Sequence, residues 1–426
     1  MSDLPEGQLS RAAIVGTTAL KLGLGQLHGK AKKTLQGNDA NEVQEALDEK
    51  SAEQLFEALV KLRGTAIKLA QMLGLEAGLL PEKIRQELSK SWHQVPPLNR
   101  VLVRKVLMEE FDKTPQELFT SFNSEAFAAA SLGQVHRAVL DEAGDVAVKI
   151  QYPGIHTTIE SDIKLLRKVA VGLPNRKVAA MSIDEIHARL REELDYDVEA
   201  TSTEWFRENL KTEGVEVPEV FRERSTTHVL TTRLLKGKHL DQWLETEPSR
   251  AIRNKAAQRL YDCFVHSVRD LNCVHADPNP GNYLFRDDGS IGLIDFGCTR
   301  KLSTDFASKM PQLLQAYCSG KKEDIFDVYA SIGMQFGEAG QDGYEEFLVP
   351  FGEWLSRPFK EEEFDFEKHN DYTSSGRQEI QNLSRMEGLD SIAEEFIYFD
   401  RTVYGLCKIF ERLQATVRMR DRWGLE

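Results

Sequence analysis

Apolar residues recur at helical spacing through most of the first 120 positions. Leu55, Leu59, Leu62, Ala66, Leu69 and Leu73 form one stripe in steps of three and four, the period that lines up side chains on one helix face. Val95-Pro96-Pro97-Leu98 must interrupt that pattern, because proline lacks a backbone donor and drives the residue before it to extended geometry. After Phe122 the pattern changes. Strand-like runs occupy Gly133–Val139, Val146–Gln151 and His228–Leu234, with turn-rich pieces such as Asp141-Glu-Ala-Gly144 between them and a long helical segment from about Ile183 to Leu210. From about Leu240 the pattern is again helical, except for Tyr283-Leu-Phe and Ile291-Gly-Leu-Ile on either side of Asp288-Gly289, a hairpin signal. Lys360-Glu-Glu-Glu-Phe-Asp-Phe-Glu reads as a solvated acidic loop. The pattern predicts an α+β chain in three parts: a helical N-terminal extension over 1–120, a mixed sheet-and-helix domain over 121–238, and a mostly helical domain over 239–426.

Composition narrows the partners. A 426-residue chain with 41% hydrophobic and 29% charged residues has the make-up of a soluble globular protein. Its net charge of -14 argues against a nucleic-acid partner, since such binders neutralise phosphates with clustered Lys and Arg. The five cysteines form no CxxC pair and are odd in number, which suits a reducing compartment without a disulfide framework or zinc site. No stretch reaches the ~18 consecutive apolar residues of a membrane span; the nearest, Ala12–Leu27, is interrupted by Lys21 and lacks the features of a signal peptide. A cytoplasmic location is therefore expected. Residues 10–29 could pack on their own protein or lie on a membrane surface as an amphipathic helix, a peripheral contact that composition leaves open.

The candidate chemistry lies in His275-Ala-Asp-Pro-Asn-Pro-Gly-Asn282 and Ile294-Asp-Phe-Gly297. Phosphoryl transfer needs one carboxylate to orient the acceptor, and an amide oxygen and a second carboxylate to hold Mg²⁺. Asp277 can serve as the first, with Asn282 and Asp295 as the oxygen ligands that suit Mg²⁺. His275 reads as a structural member of the loop. Either acid alone would read as a turn or helix cap; their order and spacing point to kinase-like chemistry. Val146-Ala-Val-Lys149 is an apolar strand ending in lysine, like the strand whose lysine meets the nucleotide phosphates in kinases. Glu192–Glu199 offers a partner carboxylate, Asp195 and Glu199 being one turn apart on a predicted helix. The glycine-rich loop of a kinase is missing: in its place stands Ala128-Ala129-Ala130-Ser131-Leu-Gly133, where Gly133 alone could adopt positive φ without strain.

On these residues the chain resembles the UbiB family of atypical kinases, also called the aarF-domain or ADCK family. The resemblance covers most of the sequence and is most specific at 128–138, 146–155, 192–200, 275–282 and 293–297. It implies an atypical protein-kinase-like two-lobe fold with a helical N-terminal extension, in which the alanine-rich segment replaces the glycine-rich loop. It also implies a KxGQ-type helix folded over the active site, matched here by Lys68-Leu69-Ala70-Gln71, with Lys68 meeting the acids of an ExD motif, Glu193 and Asp195. Glu199 would then pair with Lys149, and backbone groups near Arg233–Leu235 would take the adenine. Gly64, Lys68 and Gln71 lie opposite the leucine stripe, which agrees with that placement. Three departures are Ala70 for the glycine of KxGQ, Asn279 for a usual histidine, and Ser202 for a frequent asparagine; none removes an ionisable catalytic group.

The implied cofactors are ATP and Mg²⁺, and the implied activity is that of an atypical kinase or ATPase in isoprenoid-quinone (ubiquinone) synthesis, with a lipid or quinone precursor as ligand. Two other readings stay open on the residues alone: a small-molecule phosphotransferase of the aminoglycoside or choline type, and a pseudokinase scaffold that binds nucleotide or lipid without transfer.

Overall fold

The structure, a computed structural model, describes residues 99–425 apart from 131, 171–182, 185–186, 189, 384–385, 387–388 and 392. The leucine stripe, residues 10–29, Lys68, Gln71 and Ser131 lie outside the described residues. The described residues pack as two units, one comprising those up to Asp197 together with Arg222–Thr231, the other Val198–Phe221 with those from Thr232 onward. No described helix is long and apolar enough to cross a membrane.

In the first unit, helix α1 (Arg100–Phe111) starts at Asn99, whose side chain accepts from the Leu102 N–H, and stops at Asp112 in left-handed geometry. Three consecutive antiparallel strands follow, β1 (Ser121–Ala130), β2 (Gly133–Leu140) and β3 (Gly144–Gln151), and helix α2 (Ile155–Ala170) comes next. The alternation Val146, Val148, Ile150 is realised on β3: all three are fully buried and the residues between them are not, as period-two geometry requires. Ile159 and Ile163, one turn apart on α2, are also fully buried.

Two expectations change here. Ala128–Ala130 belong to β1 rather than to a loop: they pair with Val135, Gln134 and Gly133 in turn, so the phosphate-cover candidate is the end of a tight hairpin. Alanine is a poor strand former, and the ladder overrides its propensity. The long helix is also broken. The chain turns at Leu194-Asp195, and helix α3 (Tyr196–Asn209) begins afresh, with Asp195 Oδ1 accepting the Asp197 N–H at 3.0 Å. This is the capping bond that makes aspartate favour a helix start over a helix interior.

Strand β4 (Val229–Arg233) closes the sheet in the order β1-β2-β3-β4. On β2, His136 is fully buried. Its Nδ1 lies 2.8 Å from the Asn123 carbonyl oxygen, and its Nε2 lies 2.8 Å from the Gln134 amide nitrogen. If the amide donates to Nε2, Nδ1–H donates to Asn123, at a point where the β1–β2 register is irregular. Burial holds this imidazole below its ordinary value, against the opposing pull of the Asn123 bond. A group whose proton affinity falls on folding stabilises above its unfolded pKa, roughly 6.5 for histidine, and loses that stabilisation as pH drops toward the folded value. Thermal melts should therefore show stability falling between pH 7.5 and 5.5, with a shallower slope in His136→Gln.

The second unit is built on α4 (Arg250–Arg269) and a long aromatic core. Four short strands carry its loops: β5 (Cys273–His275), β6 (Tyr283–Phe285), β7 (Ile291–Leu293) and β8 (Thr299–Lys301). The predicted hairpin forms, with β6 antiparallel to β7. Gly289 takes φ +76°, and Asp288 Oδ1 accepts both the Ser290 N–H and hydroxyl. Strands β5 and β8 pair antiparallel. Helices α5 (Thr304–Ser319), α6 (Lys322–Ser331) and α7 (Glu394–Leu413) are among those that follow. The acidic run is only partly solvated: Phe364 and Phe366 are buried, and Asp365, in a short strand against Thr416–Val417, pairs with Arg250 at 2.8 Å. Alternate aromatics within a charged run carried that period-two signal.

Candidate active site

The second unit gathers Asp277, Asn282 and Asp295 from two loops. The β5–β6 loop holds Asp277 and Asn282; the β7–β8 loop holds Asp295. Main-chain bonds tie the loops together, the Ala276 N–H donating to Cys298 at 2.8 Å and the Ile294 N–H donating to Asn282 at 3.1 Å. His275 adds a side-chain tie, its Nε2 donating to the Asp295 carbonyl at 2.6 Å, which gives this buried histidine the structural part its sequence position suggests.

Asn282 donates its amide nitrogen to Asp277, at 2.9 Å to Oδ2 and 3.1 Å to the backbone carbonyl. With the nitrogen committed, the amide oxygen is the end left for a cation. Asp295 Oδ1 accepts the Gly297 N–H at 3.0 Å. A Cβ at Gly297 would stand 3.3 Å from that oxygen and 3.7 Å from Glu199 Oε2, so the glycine leaves room for two carboxylates to converge. Glu199 is buried on α3. An amide oxygen with carboxylate oxygens nearby is the donor chemistry that suits Mg²⁺.

Two residues that motif reading missed act on the same loop. Arg401 on α7 brings Nη2 to 3.8 Å from Asp277 Oδ1. Gly405, one turn later, lies against the ring of Pro278: a Cβ there would come within 2.2 Å of Pro278 Cγ. The available signal was a glycine in a helix interior, which needs a packing reason.

The expectation that backbone groups near Arg233–Leu235 take the adenine also narrows. Arg233 pairs its guanidinium with Glu219 at 2.6 Å, and its N–H already donates to the Glu219 carbonyl at 2.8 Å. Leu235 is buried.

The first unit holds Ala128, Ala129, Ala130, Gly133, Lys149, Glu193 and Asp195. Ladder register sets Ala128, Val135 and Lys149 directly opposite one another across three strands, so they share one face of the sheet. All three are partly exposed there, with Val135 between the small Ala128 and the lysine. Gly133 does not use positive φ; it is required because a Cβ would meet the Ile150 carbonyl oxygen at 2.3 Å.

A sheet that carries a lysine beside an alanine-rich hairpin, and a loop pair that presents HxDxxxxN and DFG, define an α+β protein of the kinase-like class. The family model described as "ABC1 atypical kinase-like domain" matches residues 90–329, and the chain belongs to that family, the one its motifs resemble. Among its relatives is the atypical kinase COQ8B, mitochondrial, of Rattus norvegicus, 32% identical over 361 residues, covering 82% of this chain and 68% of the relative. The atypical kinase COQ8, mitochondrial, of Saccharomyces cerevisiae is 26% identical over 430 residues, covering 98% and 84%. A solved structure, the complex of Rv3197 with erythromycin from Mycobacterium tuberculosis, matches with TM-score 0.63 and 24% identity over 90% of this chain and 97% of that one, a likeness of fold.

Proposed function

We propose that the chain binds ATP with Mg²⁺ and acts as an atypical kinase or ATPase in support of isoprenoid-quinone synthesis, ubiquinone in particular. The observation that carries this reading is the bond from the Asn282 amide nitrogen to Asp277, which turns the amide oxygen toward cation duty and holds the acid that would orient an acceptor hydroxyl or water. Asn282 and Asp295 would hold Mg²⁺, which when bound offsets phosphate charge. Lys149 would meet the nucleotide phosphates with Glu199 as its partner, under the cover of Ala128–Ala130, Ser131 and Gly133. The main chain at Arg233–Leu235 would take the adenine through the carbonyl of Arg233 and the groups after it. Lys68 and Gln71 would regulate access through Glu193 and Asp195. The KxGQ-type helix that the resemblance implies there would disfavour a protein acceptor and favour hydrolysis, or a small lipid-pathway substrate at a membrane surface. The relatives named COQ8 support the quinone assignment.

The test is Mg²⁺-dependent phosphate release from ATP, measured alone, with liposomes, and with a soluble phenol resembling a quinone precursor. Stimulation by either additive is the expected result. Absence of adenine-nucleotide binding in the presence of Mg²⁺ would end the proposal.

A further inference from the structure

We propose that Tyr196 is a positioning residue for Lys149, one buried ring fixing both the lysine and the alanine-bearing hairpin. The inference rests on the nucleotide reading of Lys149 above. Lys149 Nζ lies 4.8 Å from the centroid of the Tyr196 ring, inside the ~6 Å reach of a cation–π contact. The ring is 1% exposed, so the attraction is little screened. The Tyr196 hydroxyl comes within 3.0 Å of the point where a Cβ on Gly133 would stand, which sets the ring edge against the start of β2.

The tyrosine is itself anchored. Its N–H donates to the Thr227 carbonyl at 3.0 Å. The Leu194 carbonyl, two residues earlier, accepts from Gln151 Nε2 at 2.8 Å, and Asp195 caps the helix that Tyr196 begins. Main chain on both sides of the turn is thus pinned, to Gln151 on the strand that carries Lys149 and to Thr227 just ahead of β4. Of the two partners, the lysine has the long flexible stem, so the ring orders the ammonium. Charge already in position for a phosphate lowers the ordering cost of binding. The acids Glu193 and Asp195 flank this turn in sequence, so a group engaging them would act on Lys149 through Tyr196.

Two readouts on the full chain test the proposal. Without nucleotide, acylation of Lys149 by an acetyl N-hydroxysuccinimide ester is followed by peptide mass spectrometry from pH 7 to 10. The ring favours the ammonium over the reactive amine, so Tyr196→Met should react about three- to fivefold faster than wild type and Tyr196→Phe within about twofold. Ring-fluorinated phenylalanines at position 196 keep the volume and should raise the rate stepwise, which secures the test if Tyr196→Met fails to fold. Equal rates across the series would overturn the proposal.

In the second readout, ATP and adenosine each displace a fluorescent adenine nucleotide. Tyr196→Met should weaken ATP by about three- to tenfold and leave adenosine unchanged. Equal weakening of both would mean packing alone, and would also overturn it. If wild type binds neither ligand, the nucleotide reading fails, while the acylation series still decides the contact.

Discussion

Asp295→Asn is expected to cut Mg²⁺-dependent ATP turnover about 10²- to 10³-fold, the usual cost of losing one preorganised charge-stabilising group, with little change in thermal stability. The two halves of that expectation come from different atoms. Asparagine keeps an oxygen where Asp295 Oδ1 accepts the Gly297 N–H, so the turn before β8 should survive. The His275 bond goes to the Asp295 main-chain carbonyl and is untouched. What disappears is a negative charge at Gly297, which Glu199 also approaches. The Mg²⁺ concentration needed for half-maximal nucleotide binding should therefore rise, while metal-free binding stays the same. Asp277→Asn makes the contrasting case: its side-chain oxygen can still accept from Asn282, so metal-dependent binding should persist while turnover falls. Isothermal titration across a Mg²⁺ series, paired with phosphate release, separates the two. Equal turnover of Asp295→Asn and wild type would remove Asp295 from the proposed Mg²⁺ site.

The motif carrying Asp295 was legible because local chain geometry fixes it. Asp288-Gly289 can hardly form anything but a tight turn, and the apolar triplets around it pair only in one register. His275-to-Asn282 is a short loop whose prolines limit its shapes. The alanine segment was legible as a phosphate-cover candidate but not as a strand, because its pairing comes from the ladder with β2 and not from alanine's own preference. Gly133 was identified for the wrong reason: freedom of φ is a local property that sequence suggests, whereas the approach of the Ile150 carbonyl exists only once β2 and β3 are paired. The break at Leu194-Asp195 lay within an acidic run whose composition suits a helix, and only the capping bond marks it. Arg401 and Gly405 were invisible to motif spacing because they act on a loop more than 100 positions earlier in the chain.

That distant pair supports the second large effect. Glycine inside a helix costs roughly 0.5–1 kcal/mol relative to alanine, yet Gly405 sits within the 20-residue α7. Alanine at 405 would recover that propensity and at the same time press its Cβ into the Pro278 ring, where 2.2 Å separates it from Cγ and 2.7 Å from Cβ. Relieving such overlap typically costs about 1–3 kcal/mol, so the net loss of stability should be small, roughly 0–2 kcal/mol. Pro278 directly follows Asp277, and α7 also places Arg401 beside the Asp277 carboxylate. A shift between helix and loop thus moves Asp277, the acid proposed to orient the acceptor, and its neighbouring cation together. A displacement of about 1 Å at a reacting group can cost about 10²-fold, so Gly405→Ala should lose far more turnover than stability. Pro278→Ala deletes the nearest clashing atom. In the double variant, turnover should recover part of the Gly405→Ala loss, a coupling that independent sites would not show. Additive losses would mean that α7 does not position the loop.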